Sequence, residues 1–254
     1  MKSAPYVIAL AGKGGTGKTT LAALLVRLLA GRKDGSVLAI DADPNSNLAE
    51  VLGTEAEGTI GSILDEISAH PEQVPAGMSK DRFIEYRIHH AIQEGEGFDV
   101  LTMGKPEGPG CYCYVNNVLR NFMASLIKEY RYVIIDNEAG LEHLSRRTTR
   151  SADTLLVVSD PSAVGLKAAM RISELAKDLQ IKVKHKLLVV NRLQGEFDRH
   201  KVNGTDLDYI GSIPSDDFIT QLSLGGGSLL GLRDSDPSVK AVKAMEERII
   251  CQAN

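Results

Sequence analysis

Gly12-Lys13-Gly14-Gly15-Thr16-Gly17-Lys18-Thr19-Thr20 follows directly on the apolar run Tyr6-Val7-Ile8-Ala9-Leu10-Ala11. A glycine-rich turn opening at the end of a strand is the signature of a phosphate-binding loop. Glycines at 12, 14, 15 and 17 let the backbone wrap with its N–H groups inward, and a helix starting near Lys18 aims its partial positive end at the same point. Lys18 then reaches the β and γ phosphates of a nucleoside triphosphate, and the Thr19 hydroxyl is placed to hold Mg²⁺. Downstream, Leu21, Leu24, Leu25, Leu28 and Leu29 recur at helical spacing and predict a helix that ends near Gly31.

Working outward, strand-like runs occur at Tyr6–Ala11, Val37–Asp41, Phe98–Met103, Tyr132–Asp136, Thr154–Ser159 and Lys186–Asn191, with a shorter one at Leu207–Ile210. Helix-like segments separate most of them. Apolar strands alternating with amphipathic helices predict an α/β fold, a mainly parallel central sheet with helices on both faces. Between Gly53 and Gly97 the pattern weakens to a helix near Ile60–Ile67, a break at Pro71–Gly77 and a helix near Asp81–Gln93, expected to decorate the sheet. The 254 residues are read as a single domain, 1–254, since no composition shift marks a second.

The polar residues that could serve a triphosphate fall at strand ends, where such sheets bind ligands. Asp41-Ala42-Asp43-Pro44-Asn45 brings two carboxylates onto one face of an extended chain. Asp43 is expected to position the attacking water and Asp41 to hold a water of the Mg²⁺ shell. The alternative is that both cap a helix beginning near Ser46. Tyr132-Val133-Ile134-Ile135-Asp136 closes on a further acid that faces the metal in P-loop enzymes. Gly140 can bring its N–H near the γ-phosphate, which makes Asp136 to His143 a candidate switch segment.

A second lysine inside the loop, Lys13, resembles the signature lysine of the deviant Walker A ATPases. That group contains the cell-division (MinD-like) and partition (ParA-like) ATPases, the nitrogenase iron protein and metal-centre assembly ATPases. The resemblance implies a homodimer in which Lys13 crosses the interface to the partner's phosphates, neutralising charge as an arginine finger would. It also implies that Asn191, at the end of Leu187-Leu188-Val189-Val190, contacts adenine through its amide, with Ile213-Pro214 packing the adenine loop; a turn or capping role for Asn191 stands beside that reading.

Gly108-Pro109-Gly110-Cys111-Tyr112-Cys113-Tyr114 is the segment that generic nucleotide switches lack. The preceding glycines and proline discourage a helix, and in an extended chain the Cys111 and Cys113 thiols face one way. One pair supplies two soft ligands where tetrahedral sulfur sites for Zn²⁺ or related metals take four, so a two-fold dimer would complete the set. Buried small hydrophobes and a redox-active thiol pair are the alternatives. The loop, Asp41 to Asn45, Cys111-Tyr112-Cys113 and Asp136-Asn137-Glu138-Ala139-Gly140-Leu141-Glu142-His143-Leu144 together resemble the CooC-type ATPases, the nickel-insertion accessory proteins of carbon monoxide dehydrogenase, with a close branch serving acetyl-CoA synthase. The resemblance implies an ATP-hydrolysing dimer that takes ATP/ADP and Mg²⁺, holds Ni²⁺ or Zn²⁺ at an intersubunit Cys-x-Cys site and delivers nickel to a client enzyme. Two other functions stay open: an iron–sulfur electron donor like the nitrogenase iron protein, and a positioning ATPase of the cell-division or partition kind.

A formal charge of −4 with interspersed signs argues against a sequence-independent nucleic-acid binder. Three cysteines make no disulfide framework, no run of eighteen apolar residues occurs, and Met1-Lys2-Ser3 leads straight into the first strand, so a cytoplasmic protein is expected. Val239, Val242, Met245 and Ile249 show the spacing of an amphipathic helix, expected to dock on the domain rather than on a membrane. His89 and His90, adjacent on a helix, point apart and are read as structural; His143 is read as making a helix-start hydrogen bond, and Cys251 as a bystander in the polar tail.

Overall fold

The computed structural model describes residues 4–43, 47–54, 58–104, 113–138, 140–141 and 151–250. Its elements, in chain order, are β1 (Tyr6–Gly12), α1 (Lys18–Gly31), β2 (Val37–Ala42), α2 (Leu48–Val51), α3 (Ile60–Ala69), α4 (Lys80–His90), β3 (Gln93–Glu94), β4 (Phe98–Thr102), α5 (Cys113–Leu126), β5 (Tyr132–Asn137), β6 (Ser151–Ser159), α6 (Ala163–Asp178), β7 (Lys182–Leu193), β8 (Asp208–Pro214), α7 (Asp217–Gly225) and α8 (Pro237–Ile250). Among the described residues the strands form one eight-stranded sheet in the order β3-β4-β2-β5-β1-β6-β7-β8. The pairings are parallel except for the antiparallel β3 at the edge.

Both faces of the sheet are covered, as the expected α/β class requires. On one face Ile8, Ala39, Ile134 and Val189 pack with α1, α2 and α8; on the other Ala9, Ile40, Ile135 and Val190 pack with α3, α4, α5 and α6. All seven residues of β1 are buried, which is why the strand reads as a continuous apolar run rather than an alternation. Parallel strands point their carboxyl ends one way, so β1, β2 and β5 bring Gly12, Asp41 and Asp136 to one edge, with Asp41 and Asp136 in register.

Three expectations need correction. The region 53–97 does more than decorate: Ile60, Ile63, Leu64, Ile67, Phe83, Ile84 and Ile88 belong to the core, and Gln93–Glu94 adds the edge strand. Serine and threonine caps start both of its helices, Thr59 through a reciprocal pair with Ser62 and Ser79 by accepting the Arg82 N–H. Second, the chain is helical from Cys113 onward, where an extended run was expected; Val118, Leu119, Phe122, Met123 and Leu126 bury one face of that helix. Cys111, like His143 and Cys251, lies outside the described residues. Third, β6 and β7 begin earlier than their apolar runs, at Ser151 and Lys182, because their first residues alternate or face solvent.

The last helix docks as expected. Val239, Val242 and Ile249 are fully buried and Met245 nearly so, while the Tyr6 hydroxyl donates to the Ile249 carbonyl at 2.8 Å. Arg32 adds an ion pair to Glu246 at 3.2 Å. Lifting four such side chains off the sheet costs on the order of several kcal/mol. Among the described residues no helix is long and apolar enough to cross a membrane.

Candidate active site

The loop between β1 and α1 has the shape its glycines permit. Gly15 and Gly17 hold φ of 78° and 89°, a region that side chains disfavour. Thr16, nearly buried, closes the turn on the Lys13 carbonyl through its N–H at 3.3 Å and its hydroxyl at 2.9 Å. The Lys18 ammonium reaches the same carbonyl at 3.5 Å. Gly17 is the N-cap of α1, no side chain caps the helix, and its first turn holds no acidic residue. The free N–H groups and the positive end of the helix dipole are therefore left to an outside anion.

Beside the loop stand the two acids in register. Asp41 is fully buried, and its carboxylate accepts the Asp43 N–H at 3.1 Å and the Leu48 N–H at 2.9 Å. The first bond bends the chain, so β2 ends at Ala42 and Asp43 lies just past the strand, close enough for its charge to act on both Asp41 and Asp136. The second bond ties Asp41 to the first residue of α2, whose N-cap position is Asn47. Burial pushes its carboxyl up to about 6 against the pull of those two bonds.

Asp136 is placed at greater cost. Burial pushes its carboxyl up to about 7, Asp41 adds to the rise, and the Thr19 hydroxyl and the Lys18 charge offset only part of it. Neither carboxylate oxygen has a hydrogen-bond partner of good geometry. A buried carboxylate left unpaired beside a triphosphate loop fits a divalent cation, which would satisfy both oxygens and remove the reason for the raised value. Among the described residues no group of three or more histidine, cysteine, aspartate or glutamate side chains stands ready for a metal.

Sequence reasoning gave no individual role to two neighbours of this edge, Thr102 and Asn137. Thr102, in register with Asp41, is buried with its hydroxyl unpartnered. The Asn137 amide donates to the Leu10 carbonyl at 2.8 Å and pins β5 to the strand that feeds the loop. Gly140 holds φ of 152°, open to glycine, and a Cβ there would meet nothing within 4 Å. Lys13 itself is exposed, near Asp160, whose carboxyl is held below its usual range first by Ser162, with Lys13 and Arg192 contributing.

Asn191, Ile213 and Pro214 are brought together, lining a cavity of about 440 Å³ with Thr20, Leu24 and Arg192 on the side of α1 away from the acids. Its mixed apolar and amide lining suits a flat heterocycle. Asp216 also lines it, with its carboxylate already engaged by the Phe218 and Ile219 N–H groups and the Ser238 hydroxyl. Arg192 and Asp216 carried no signal in the sequence because neither sits in an apolar run or a recognised spacing.

A phosphate loop, two carboxylates at adjoining strand ends and a cavity of apolar and amide lining on the far side of one helix define a P-loop nucleoside triphosphatase. Residues 7–226 match the family model described as the CobQ/CobB/MinD/ParA nucleotide binding domain, and the chain belongs to that family of ATPases. It is 41% identical to an uncharacterised ATP-binding protein of Methanocaldococcus jannaschii over 249 residues, 96% of this chain and 98% of the relative. It is 31% identical over 270 residues to the carbon monoxide dehydrogenase accessory protein CooC of Rhodospirillum rubrum, covering 95% and 97%. Among solved structures, the septum site-determining protein MinD of Pyrococcus horikoshii, complexed with Mg-ADP, superposes with a TM-score of 0.71 at 22% identity, covering 98% of each chain.

Proposed function

We propose that this ATPase is a dimeric metallochaperone of the CooC kind, in which ATP brings two copies together and a shared Cys-x-Cys site carries Ni²⁺ or Zn²⁺ to carbon monoxide dehydrogenase or acetyl-CoA synthase. The observation that carries the dimer is Lys13. Its carbonyl is clamped by Thr16 and Lys18 while its side chain stands in solvent, so the loop presents a second cation outward that its own subunit does not fold over the site. The 31% identity to CooC and the Cys111-Tyr112-Cys113 sequence support the cargo.

In this reading the N–H groups of Gly12 to Thr20 and the Lys18 ammonium bind the phosphates. Asn191, Ile213 and Pro214 hold adenine, and Gly140 lies by the γ-phosphate. Thr19, Asp136 and Asp41 hold Mg²⁺ directly or through water; the ion, when bound, neutralises charge on the phosphates. Asp43, freed from the strand by the Asp41 bond, orients the attacking water, and Lys13 of each copy serves the other's triphosphate. The whole chain acts as one domain. Cys111 and Cys113 of two copies give the four sulfurs that a soft cation takes.

The test is metal content per chain and mass in solution, on anaerobically purified protein, with ATP, ADP or neither. The expected result is a two-chain species holding one nickel or zinc per pair, lost when Cys111 and Cys113 are both replaced by serine. Unchanged metal in that variant, or a single-chain mass under every condition, overturns the proposal. Iron and sulfide in equal amount would instead support an electron donor like the nitrogenase iron protein. The buried seat of α8 means that this helix is packed on the domain rather than free to lie on a membrane, and the net charge argues against a sequence-independent nucleic-acid partner.

A further inference from the structure

Asn191 does a job in the folded chain that its place in the base cavity does not require. One amide N–H donates to the Thr16 carbonyl at 2.8 Å in a buried bond, and its oxygen accepts the Arg192 N–H at 2.9 Å. Arg192 holds φ of 56°, an uncommon conformation for a branched-free but bulky side chain, directly after the residue that takes its N–H. The Asn191 nitrogen also fills the space that a Cβ on Gly17 would need, so the left-handed turn of the loop and the asparagine fit only as a pair. From Thr16 two further bonds run to the Lys13 carbonyl. A chain of hydrogen bonds thus leads from the base cavity through Asn191 and Thr16 to the backbone of Lys13.

An asparagine amide has two N–H donors and an oxygen with two lone pairs. Here one donor and one lone pair are committed, which leaves one of each for an adenine edge. We infer that Asn191 is a positioning residue for the phosphate loop, and that base contact and loop geometry are coupled through it. The inference rests on the nucleotide reading above and goes beyond it, since a residue that only touches adenine has no effect on phosphates.

Inorganic tripolyphosphate separates the two roles because it has no base. With Mg²⁺ present, Asn191→Leu, of the same branched shape and neutral, is expected to weaken tripolyphosphate roughly 5- to 10-fold, the worth of one buried hydrogen bond. Ile213→Ala, which trims a core residue that lines the base cavity and makes no side-chain hydrogen bond to the loop, should weaken ATP and leave tripolyphosphate unchanged. If Asn191→Leu binds tripolyphosphate as the parent does, the inference is wrong. Should that variant not fold, hydrogen exchange on the parent protein decides the matter: saturating adenosine, which carries no phosphate, is expected to slow exchange at residues 13–18, and no change there overturns the coupling. Failure of the parent to bind tripolyphosphate at all would count against the phosphate reading, and the adenosine arm would still judge Asn191.

Discussion

The two halves of the nucleotide site are built on opposite terms. The loop Gly12–Thr20 has its turn closed internally: the Lys13 carbonyl accepts from Thr16 and Lys18, and the Thr16 carbonyl from Asn191. The acidic strand ends differ: Asp136 is buried with neither oxygen in a well-aligned hydrogen bond and is pushed up to about 7, and Asp41, though it accepts two backbone N–H groups, is pushed up to about 6. The anion half is preorganised at little cost to the empty fold, whereas the cation half destabilises it until a cation arrives. Function here is bought in one half only.

Lys18→Ala strikes the anion half and should have the largest effect. Titration calorimetry is expected to show roughly 100-fold weaker ATP binding, the loss of charge-assisted hydrogen bonds to phosphate, with hydrolysis at background and the thermal midpoint nearly unchanged. A midpoint that drops with the affinity would mean that the loop depends on Lys18 for its shape. Gly17→Ala attacks that shape directly. With φ at 89° and the Asn191 amide in the way, denaturant unfolding should report a loss of roughly 2–4 kcal/mol.

Asp136→Asn probes the other half and should move stability the opposite way. The unfolded chain ionises this carboxyl near pH 4, the folded chain only at about 7, so between those values the folded state holds more protons and stability falls as pH rises. The parent protein without nucleotide should therefore melt at a lower temperature at pH 8 than at pH 5. The asparagine variant should gain about 1–3 kcal/mol at pH 8, little at pH 5, and lose Mg²⁺-dependent hydrolysis. A parent midpoint that climbs between pH 5 and 8, with Asp136→Asn following it, would remove the contrast between the halves. The smallest effect belongs to neither half: Ser79→Ala, which strips the cap of α4, should cost about 1 kcal/mol and leave ATP affinity alone.

The sequence made the anion half easy to see and the cation half only partly so. A phosphate loop is a local object, written in consecutive glycines and read together with the strand before it and the helix after it. Asp41 and Asp136 were visible because apolar runs ended on them, but their shared register, and the turn that takes Asp43 off the strand, depend on pairing between strands far apart in the chain. The same limit hid Gln93–Glu94, too short to show a period, and the bond from Asn191 to Thr16, which joins residues 175 positions apart. Helix α5 was obscured for a different reason: Pro109 and the glycines around it outweighed the spacing of Val118, Leu119, Phe122, Met123 and Leu126, yet they end before Cys113, and a helix can start just beyond them.

The bond from the Tyr6 hydroxyl to the Ile249 carbonyl spans 243 positions and seats α8 over the same face as α1. On a ribosome the glycine turn is made within the first twenty residues, yet the apolar wall behind it stays open to water until the segment 237–250 has emerged. A nascent or C-terminally clipped chain would therefore carry the loop Gly12–Thr20 while lacking the α8 side chains that pack behind it.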